Sequence, residues 1–453
     1  WLPSALDVAL YDFQPILRPR WPKVIRSISR SGGKIGASPS TLPAMSDAAP
    51  LSHLRILDLS RVLAGPWCSQ LLADLGAEVI KIERPGSGDE TRAWGPPYLK
   101  DAEGHDTSEA AYYLAINRNK ESVTVDLAHP EGQALIRDLA LKSDVLLENY
   151  KVGGLKKYGL DYESLAKLNP HLIYCSITGF GQNGPWADRP GYDFIIQGIG
   201  GLMSVTGEAD GCPGGGPQKV GVALVDILTG LYAANAIQAA LIEREKSGLG
   251  QHIDVSLLDT QVASLANLAL NYLCSGVSPR RMGNAHPNIA PYQVLASSDG
   301  HFIVAVGNDG QFRRFCEVLD LPGMADDERF ASNAARVRNR AALDAAIEAR
   351  AKTQTKQHWL GRLEAADVPC GPINKLEEVF AEPQLAAREM VVTMPHPTAG
   401  EVKLVGNPIK LARTPVAYRS PPPLLGQQTE DVLRTIGGLT DEQIEKLRDA
   451  GVI

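Results

Sequence analysis

The chain lacks most of the short motifs that betray a chemistry. Its six cysteines, Cys68, Cys175, Cys212, Cys274, Cys316 and Cys370, stand singly with no C-x-x-C, so neither a zinc site nor a disulfide framework is expected. That usage fits a reducing compartment. There is no P-loop, no G-x-S-x-G and no H-E-x-x-H, and the nine histidines show no ligand spacing, so no metal site is expected. G-I-G-G-L-M-S (198–204) lacks the third glycine of a dinucleotide fingerprint and does not lie between a strand and a helix. No uninterrupted apolar run reaches the roughly 18 residues of a membrane span. A net charge of −7 argues against non-specific nucleic-acid binding, although it leaves room for a local basic pocket.

What is present is a soluble-type composition, 44% apolar and 21% charged over 453 residues, enough for two or three domains with real cores. The first 44 residues differ from the rest: Arg18, Arg20, Lys23, Arg26, Arg30 and Lys34 face only Asp7 and Asp12. They read either as a transit peptide or as translated sequence upstream of Met45, whose M-S-D-A-A-P-L-S-H-L looks like a native start; the second reading is adopted. It implies a cytoplasmic protein, the first a mitochondrial matrix one.

From Leu54 the pattern is α/β. L-R-I-L-D-L (54–59), A-E-V-I-K-I-E (77–83), S-V-T-V-D-L (122–127), D-V-L-L-E-N (144–149) and L-I-Y-C-S-I-T (172–178) read as strands, with helices at 66–76 and 130–142 between them. Strand, helix and strand within about 30 residues imply parallel pairing, so a doubly wound sheet is expected. The glycine- and proline-rich stretch 179–222 reads as a functional loop region, and 225–245 as a helix. A second, α+β unit begins near 290 with a hairpin around a D-G turn (298–300) and continues with helices at 309–319, 340–352 and 355–366. Near the end, Thr440 should cap a short helix with Glu442 in its first turn.

Two features carry chemistry. Arg84 and Arg92, N-R-N-K (117–120) and L-K-K-Y-G (155–159) recur at successive strand ends, an arrangement suited to a polyphosphate ligand. G-V-A-L-V-D-I-L-T-G (221–230) places one carboxylate, Asp226, in an apolar run at the start of a helix. An aspartate there is commonly a cap or first-turn residue. The alternative is a poorly solvated nucleophile able to form a covalent acyl intermediate. Residue chemistry alone leaves both open.

The ordered combination L-R-I-L-D-L-S-R-V-L-A-G-P, K-I-E-R-P-G-S-G-D-E-T-R, I-N-R-N-K-E-S, L-L-E-N-Y, I-T-G-F-G-Q-N-G-P, R-P-G-Y-D and G-V-A-L-V-D-I-L-T-G resembles the class III CoA-transferases, the formyl-CoA/carnitine CoA-transferase family. The resemblance extends over most of 51–453. G-N-A-H-P-N-I-A-P-Y-Q brings it closest to the succinyl-CoA:dicarboxylate branch, the succinyl-CoA:glutarate type. It implies that Asp226 is the nucleophile. It puts CoA contacts on Leu63, Ala64, Arg84, the strand Val125, Asp126, Leu127 and Ala128, and on Asn149 and Tyr150. Lys157 replaces a family arginine and so loses the bidentate fork, and Tyr192 and Asp193 are placed near the thioester. Formyl-type members carry a glycine-rich flap where this chain has Gly283-Asn284-Ala285-His286, and Asn284 and His286 are expected to face the acyl carboxylate.

The resemblance further implies a Rossmann-like large domain over 46–284, completed by a return at 391–453. A smaller α+β domain over 285–390, an extension over 1–45 and an interlocked homodimer complete the expected organisation. No permanent cofactor is expected, the CoA thioester being a substrate, and neither nucleic acid nor membrane is an expected partner. A racemase of the same fold would need a base where this chain has Tyr192. A dehydrogenase lacks its fingerprint, and a non-catalytic CoA-binding protein leaves Asp226 unexplained.

Overall fold

The computed structural model describes residues 49–453, and the 1–45 extension lies outside the described residues. Six short strands form one sheet: β1 (Arg55–Asp58), β2 (Glu78–Glu83), β3 (Lys120–Thr124), β4 (Val145–Glu148), β5 (Ile173–Thr178) and β6 (His252–Ser256). Every pairing is parallel, in the spatial order β3-β2-β1-β4-β5-β6. The order reverses between β1 and β4, which opens a crevice at the carboxyl ends of those two strands.

Helices cover both faces, because the inner strands carry apolar residues on both sides. One face buries Ile56, Val79, Leu147 and Ile177 against α1 (Ala64–Asp74), a long helix at 224–247 and the start of another at 257–264. The opposite face buries Leu57, Ile80, Val123 and Leu146 against α2 (Pro130–Leu141) and the C-terminal residues Val432, Leu433, Ile444 and Val452. The tail is tied to the β3 edge by hydrogen bonds from Asp126 N to Val452 O (2.7 Å) and from Thr124 N to Thr429 Oγ1 (3.0 Å). Thr440 caps the helix Asp441–Asp449 through a reciprocal bond with Gln443.

A separate core lies within 290–368. The hairpin Tyr292–Ala296 and His301–Ala305, extended by Cys370–Pro372, packs Phe302 against Phe312, Phe315, Trp359 and Leu363 of the helices Asp309–Val318 and Lys356–Ala365. A second hairpin, Val391–His396 with Gly400–Val405, had no counterpart in the sequence reading.

Two details depart from expectation. Residues 125–128 are not strand: the sheet ends at Thr124, and Asp126 turns the chain by accepting the Ala128 amide (2.9 Å) ahead of Pro130 in the first turn of α2. The helix 224–247 is long and apolar enough to cross a membrane, by length and composition. Its inner face, with Val225, Ala233, Ala234 and Ile237, is packed onto the sheet.

Candidate active site

Two adjoining clefts open along the carboxyl edge of the sheet, as expected for a parallel α/β fold. The smaller, about 190 Å³, is lined by the β1–α1 loop (Arg61–Ala64), the turn after β4 (Asn149–Val152), the end of β5 and the loop 187–192, with Asp226 among its walls. The larger, about 620 Å³, is lined by the end of β2 through Arg84, the loop 87–90, the turn Val125–Ala128, Tyr150 and Tyr158. Arg61 and Tyr150 border both.

Two backbone crossings set this geometry. Asp226 is the third residue of α3 (Leu224–Ser247), and Gly230 lies one turn below it on the same face. A Cβ on Gly230 would sit 2.6 Å from the Ala64 carbonyl, so glycine lets the start of α1 lie against the helix that carries Asp226. At the end of β5, Gly179 crosses Gly191 so closely that a Cβ on either would fall 2.4–2.5 Å from the other's Cα. That crossing brings Tyr192 and Asp193 back to the sheet edge.

Asp193 is nearly buried and serves as the cap for the helix of Asp226. Its Oδ2 accepts the amides of Val225 (2.8 Å) and Asp226 (3.3 Å), while its Oδ1 accepts the Gln197 amide nitrogen (2.7 Å). The neighbouring amides are also used, Leu224 donating to Val222 O and Ile227 to Ala223 O. The amides at this helix start are therefore taken, two by Asp193 and the others by backbone carbonyls, and are not free to stabilise an oxyanion. Burial, and then the Asp193 charge, push the Asp226 carboxyl from 3.8 up to about 7.

The other expected residues separate into groups. Leu63, Ala64, Asn149, Tyr150 and Tyr192 line the Asp226 cleft; Arg84, Val125, Asp126, Leu127, Ala128 and Tyr150 line the larger one. The Asn149 side chain is spent on a clamp, accepting Arg61 N (2.9 Å) and donating to Arg61 O (2.7 Å), which fixes the β1–α1 loop to the end of β4. Lys157 is exposed, with its ammonium 4.5 Å from the centre of the Tyr158 ring at the rim of the larger cleft. Asn284 and His286 line neither cleft. The His286 ring packs 5.3 Å from Tyr292, and its Nδ1 accepts the Asn288 amide (3.1 Å).

Several cations read as phosphate ligands are structural instead. Arg92 donates twice to Glu83 (2.8 and 2.7 Å) and once to Pro423 O. Arg118 forks onto Asp74, and Lys120 is fully buried, donating to Pro66 O and Asn117 Oδ1 (2.9 Å each). The buried Lys81 pairs with Asp89 at 2.9 Å. Burial alone would raise the Asp89 carboxyl, but Lys81 and the Thr91 bonds outweigh it and hold it at about 2. Asp89 also accepts the amide of Val62 (3.3 Å), a β-branched residue held at φ +69° beside the cleft. Tyr112 was not anticipated: burial, then the Asp226 and Asp193 charges, push its phenol up to about 12.

A desolvated carboxylate thus lies at the sheet's carboxyl edge, beside a larger cleft bordered by Arg84 and, near Tyr158, by Lys157. Residues 51–429 match the model of CoA-transferase family III, and the chain belongs to that family. It is 54% identical over 384 residues to the succinate–glutarate CoA-transferase of Agrobacterium fabrum, covering 85% of this chain and 95% of that protein. It is 44% identical over 409 residues to the human succinyl-CoA:glutarate CoA-transferase, covering 90% of this chain and 91% of that one. A crystal structure of a CaiB/BaiF family protein from Brucella suis superposes with a TM-score of 0.75 at 52% identity, over 86% of this chain and 99% of that one. The protein is accordingly a CoA-transferase, acting on CoA thioesters and free carboxylates.

Proposed function

We propose that this enzyme moves CoA from succinyl-CoA to a dicarboxylate such as glutarate through an aspartyl-CoA thioester on Asp226. The observation that carries the reading is the desolvated carboxylate in the wall of the smaller cleft, next to the larger one, in a chain whose similar relatives are named for succinyl-CoA and glutarate. A carboxylate stripped of water is a better nucleophile than a solvated one, and near neutral pH a large fraction of Asp226 is ionised.

An Asp226 oxygen attacks the thioester carbonyl carbon, breaking the C–S bond and releasing CoA thiolate, and leaves a succinyl–aspartyl anhydride. The thiolate attacks the aspartyl carbonyl of that anhydride, breaking its C–O bond, so succinate leaves and the aspartyl-CoA thioester remains. The acceptor carboxylate attacks this thioester, expelling the thiolate and forming a second anhydride. The thiolate then attacks the acceptor's carbonyl, giving the new acyl-CoA and restoring the Asp226 carboxylate. The thioester's free energy is carried through, so the balance needs no nucleotide hydrolysis. We assign oxyanion donation to the start of α1, where no side chain caps the helix.

In this reading the larger cleft takes the nucleotide end of CoA, with Arg84 and Lys157 at its rim. The six-stranded sheet is a Rossmann-like large domain over 46–284 and 391–453, and 285–390 the smaller domain. The free cysteines suit the cytoplasm. The enzyme is proposed to be an interlocked homodimer. Its support is the apolar surface exposed on α3 and on the helices Asp193–Ile199 and Ala266–Ser275, with Phe194, Ile242 and Leu273 57%, 61% and 72% exposed. The decisive assay supplies succinyl-CoA with a panel of free mono- and dicarboxylates. Glutarate or a near homologue should be the best acceptor, and a preference for monocarboxylates would overturn the reading.

A further inference from the structure

The Asp226 cleft contains three cations that the sequence reading did not select, Arg61, Lys151 and Arg189. They are not equally available. Arg61 is paired with Glu90 and lies over the Tyr150 ring. Lys151 is an exposed ammonium on a flexible stem. Arg189 is also exposed, but aromatic rings approach it. Its guanidinium carbon lies 5.3 Å from the centre of the Phe180 ring and 4.9 Å from that of Trp186, and the two rings meet edge to face at 5.5 Å. Among the described residues no carboxylate forms an ion pair with it. Contact with two aromatic rings restrains the guanidinium while leaving its N–H donors free, which preorganises it for a carboxylate. Its place in the chain is also fixed. Two residues on, Gly191 is locked against Gly179, and four residues on, Asp193 holds the start of the helix that carries Asp226.

A monocarboxylyl thioester would leave these cations facing an uncharged tail. A dicarboxylyl thioester brings a second carboxylate into a cleft that already holds Asp226, with Asp193 close behind, and needs a cation to offset that repulsion. We propose that Arg189 is the receptor for the distal carboxylate of the acyl group and sets the preference for dicarboxylyl donors. The assignment rests on the dicarboxylyl reading above, and it places the specificity on the loop before Tyr192 rather than on His286, which lies against Tyr292 outside the cleft lining.

The test is the ratio of kcat/KM for succinyl-CoA to that for butyryl-CoA, measured on the full chain with one fixed acceptor. In a two-step exchange each of these values reports the donor half-reaction alone. Arg189→Met should lower the ratio about 10- to 150-fold, the range for losing a hydrogen bond to a charged group. Arg189→Gln, which keeps a polar head without charge, should lower it in the same direction, and guanidinium salts added to Arg189→Ala should restore part of it. Calorimetric titration with free CoA checks that each variant is folded. A ratio that stays at the wild-type value in both Arg189→Met and Arg189→Gln overturns the proposal, as does a collapse in His286→Ala that Arg189→Met does not share. A wild-type enzyme that uses the two donors equally well would instead overturn the dicarboxylyl reading itself.

Discussion

Replacing Asp226 by asparagine should stabilise the ligand-free protein while abolishing turnover, and the stabilisation should grow with pH. In the fold the carboxyl is raised from 3.8 to about 7, first by burial and then by the Asp193 charge, a rise of roughly three pH units. A group whose folded value lies above its unfolded one favours the native state only in its protonated form. The folded protein is therefore unpenalised below about pH 4 and loses stability as pH climbs from there through about 7. At about 1.36 kcal/mol per unit, the accumulated cost at pH 8 is of order 4 kcal/mol, and only about 1 kcal/mol at pH 4.5. Asparagine cannot ionise and escapes it. Paired thermal or urea denaturation of fresh wild type and Asp226→Asn at those two pH values measures the difference. The variant should be clearly more stable at pH 8 and nearly matched at pH 4.5. Equal gains at both, or a loss at pH 8, would show that Asp226 is not a desolvated carboxylate in the folded protein.

Asp193→Asn keeps an oxygen for the Val225 and Asp226 amides but removes the charge, so the acid limb of kcat/KM should move down from about 7. The move should be less than half of the whole rise, because burial is the larger cause, and an unmoved limb would remove Asp193 from the account. Sedimentation of the full chain at micromolar concentration should return a dimer. A stable monomer would leave the exposed apolar residues of α3 and its neighbours without the proposed partner.

The sheet was legible because its inner strands are apolar on both faces and most strands alternate with helices, a pattern that parallel crossovers require. The hairpin 391–405 was not, since Pro395 interrupts the run V-V-T-M-P-H and proline argues against a strand unless it lies at an edge. Asp226 stood out as a lone carboxylate in an apolar stretch. The fates of the surrounding cations could not be read locally. Arg92 and Arg118 look like phosphate ligands until the fold delivers Glu83 and Asp74 to them, the second from 44 residues away. The same is true of the Asn149 clamp on Arg61, which spans 88 residues, and of Asp193 closing the helix start 32 residues later. Nothing local in the sequence sets Arg189 apart, because the approach of Phe180 and Trp186 to its guanidinium at the cleft comes from the fold.

The central claim is that CoA passes through Asp226. Wild-type enzyme is incubated with succinyl-CoA, without acceptor, and quenched with hydroxylamine or borohydride before peptide mass spectrometry. An aspartyl anhydride or thioester is electrophilic, so Asp226 alone should be converted, to the hydroxamate or the alcohol respectively, and only when the donor is present. Modification of a cysteine, or of no residue at all, would contradict a covalent aspartyl intermediate and with it the mechanism proposed for this site.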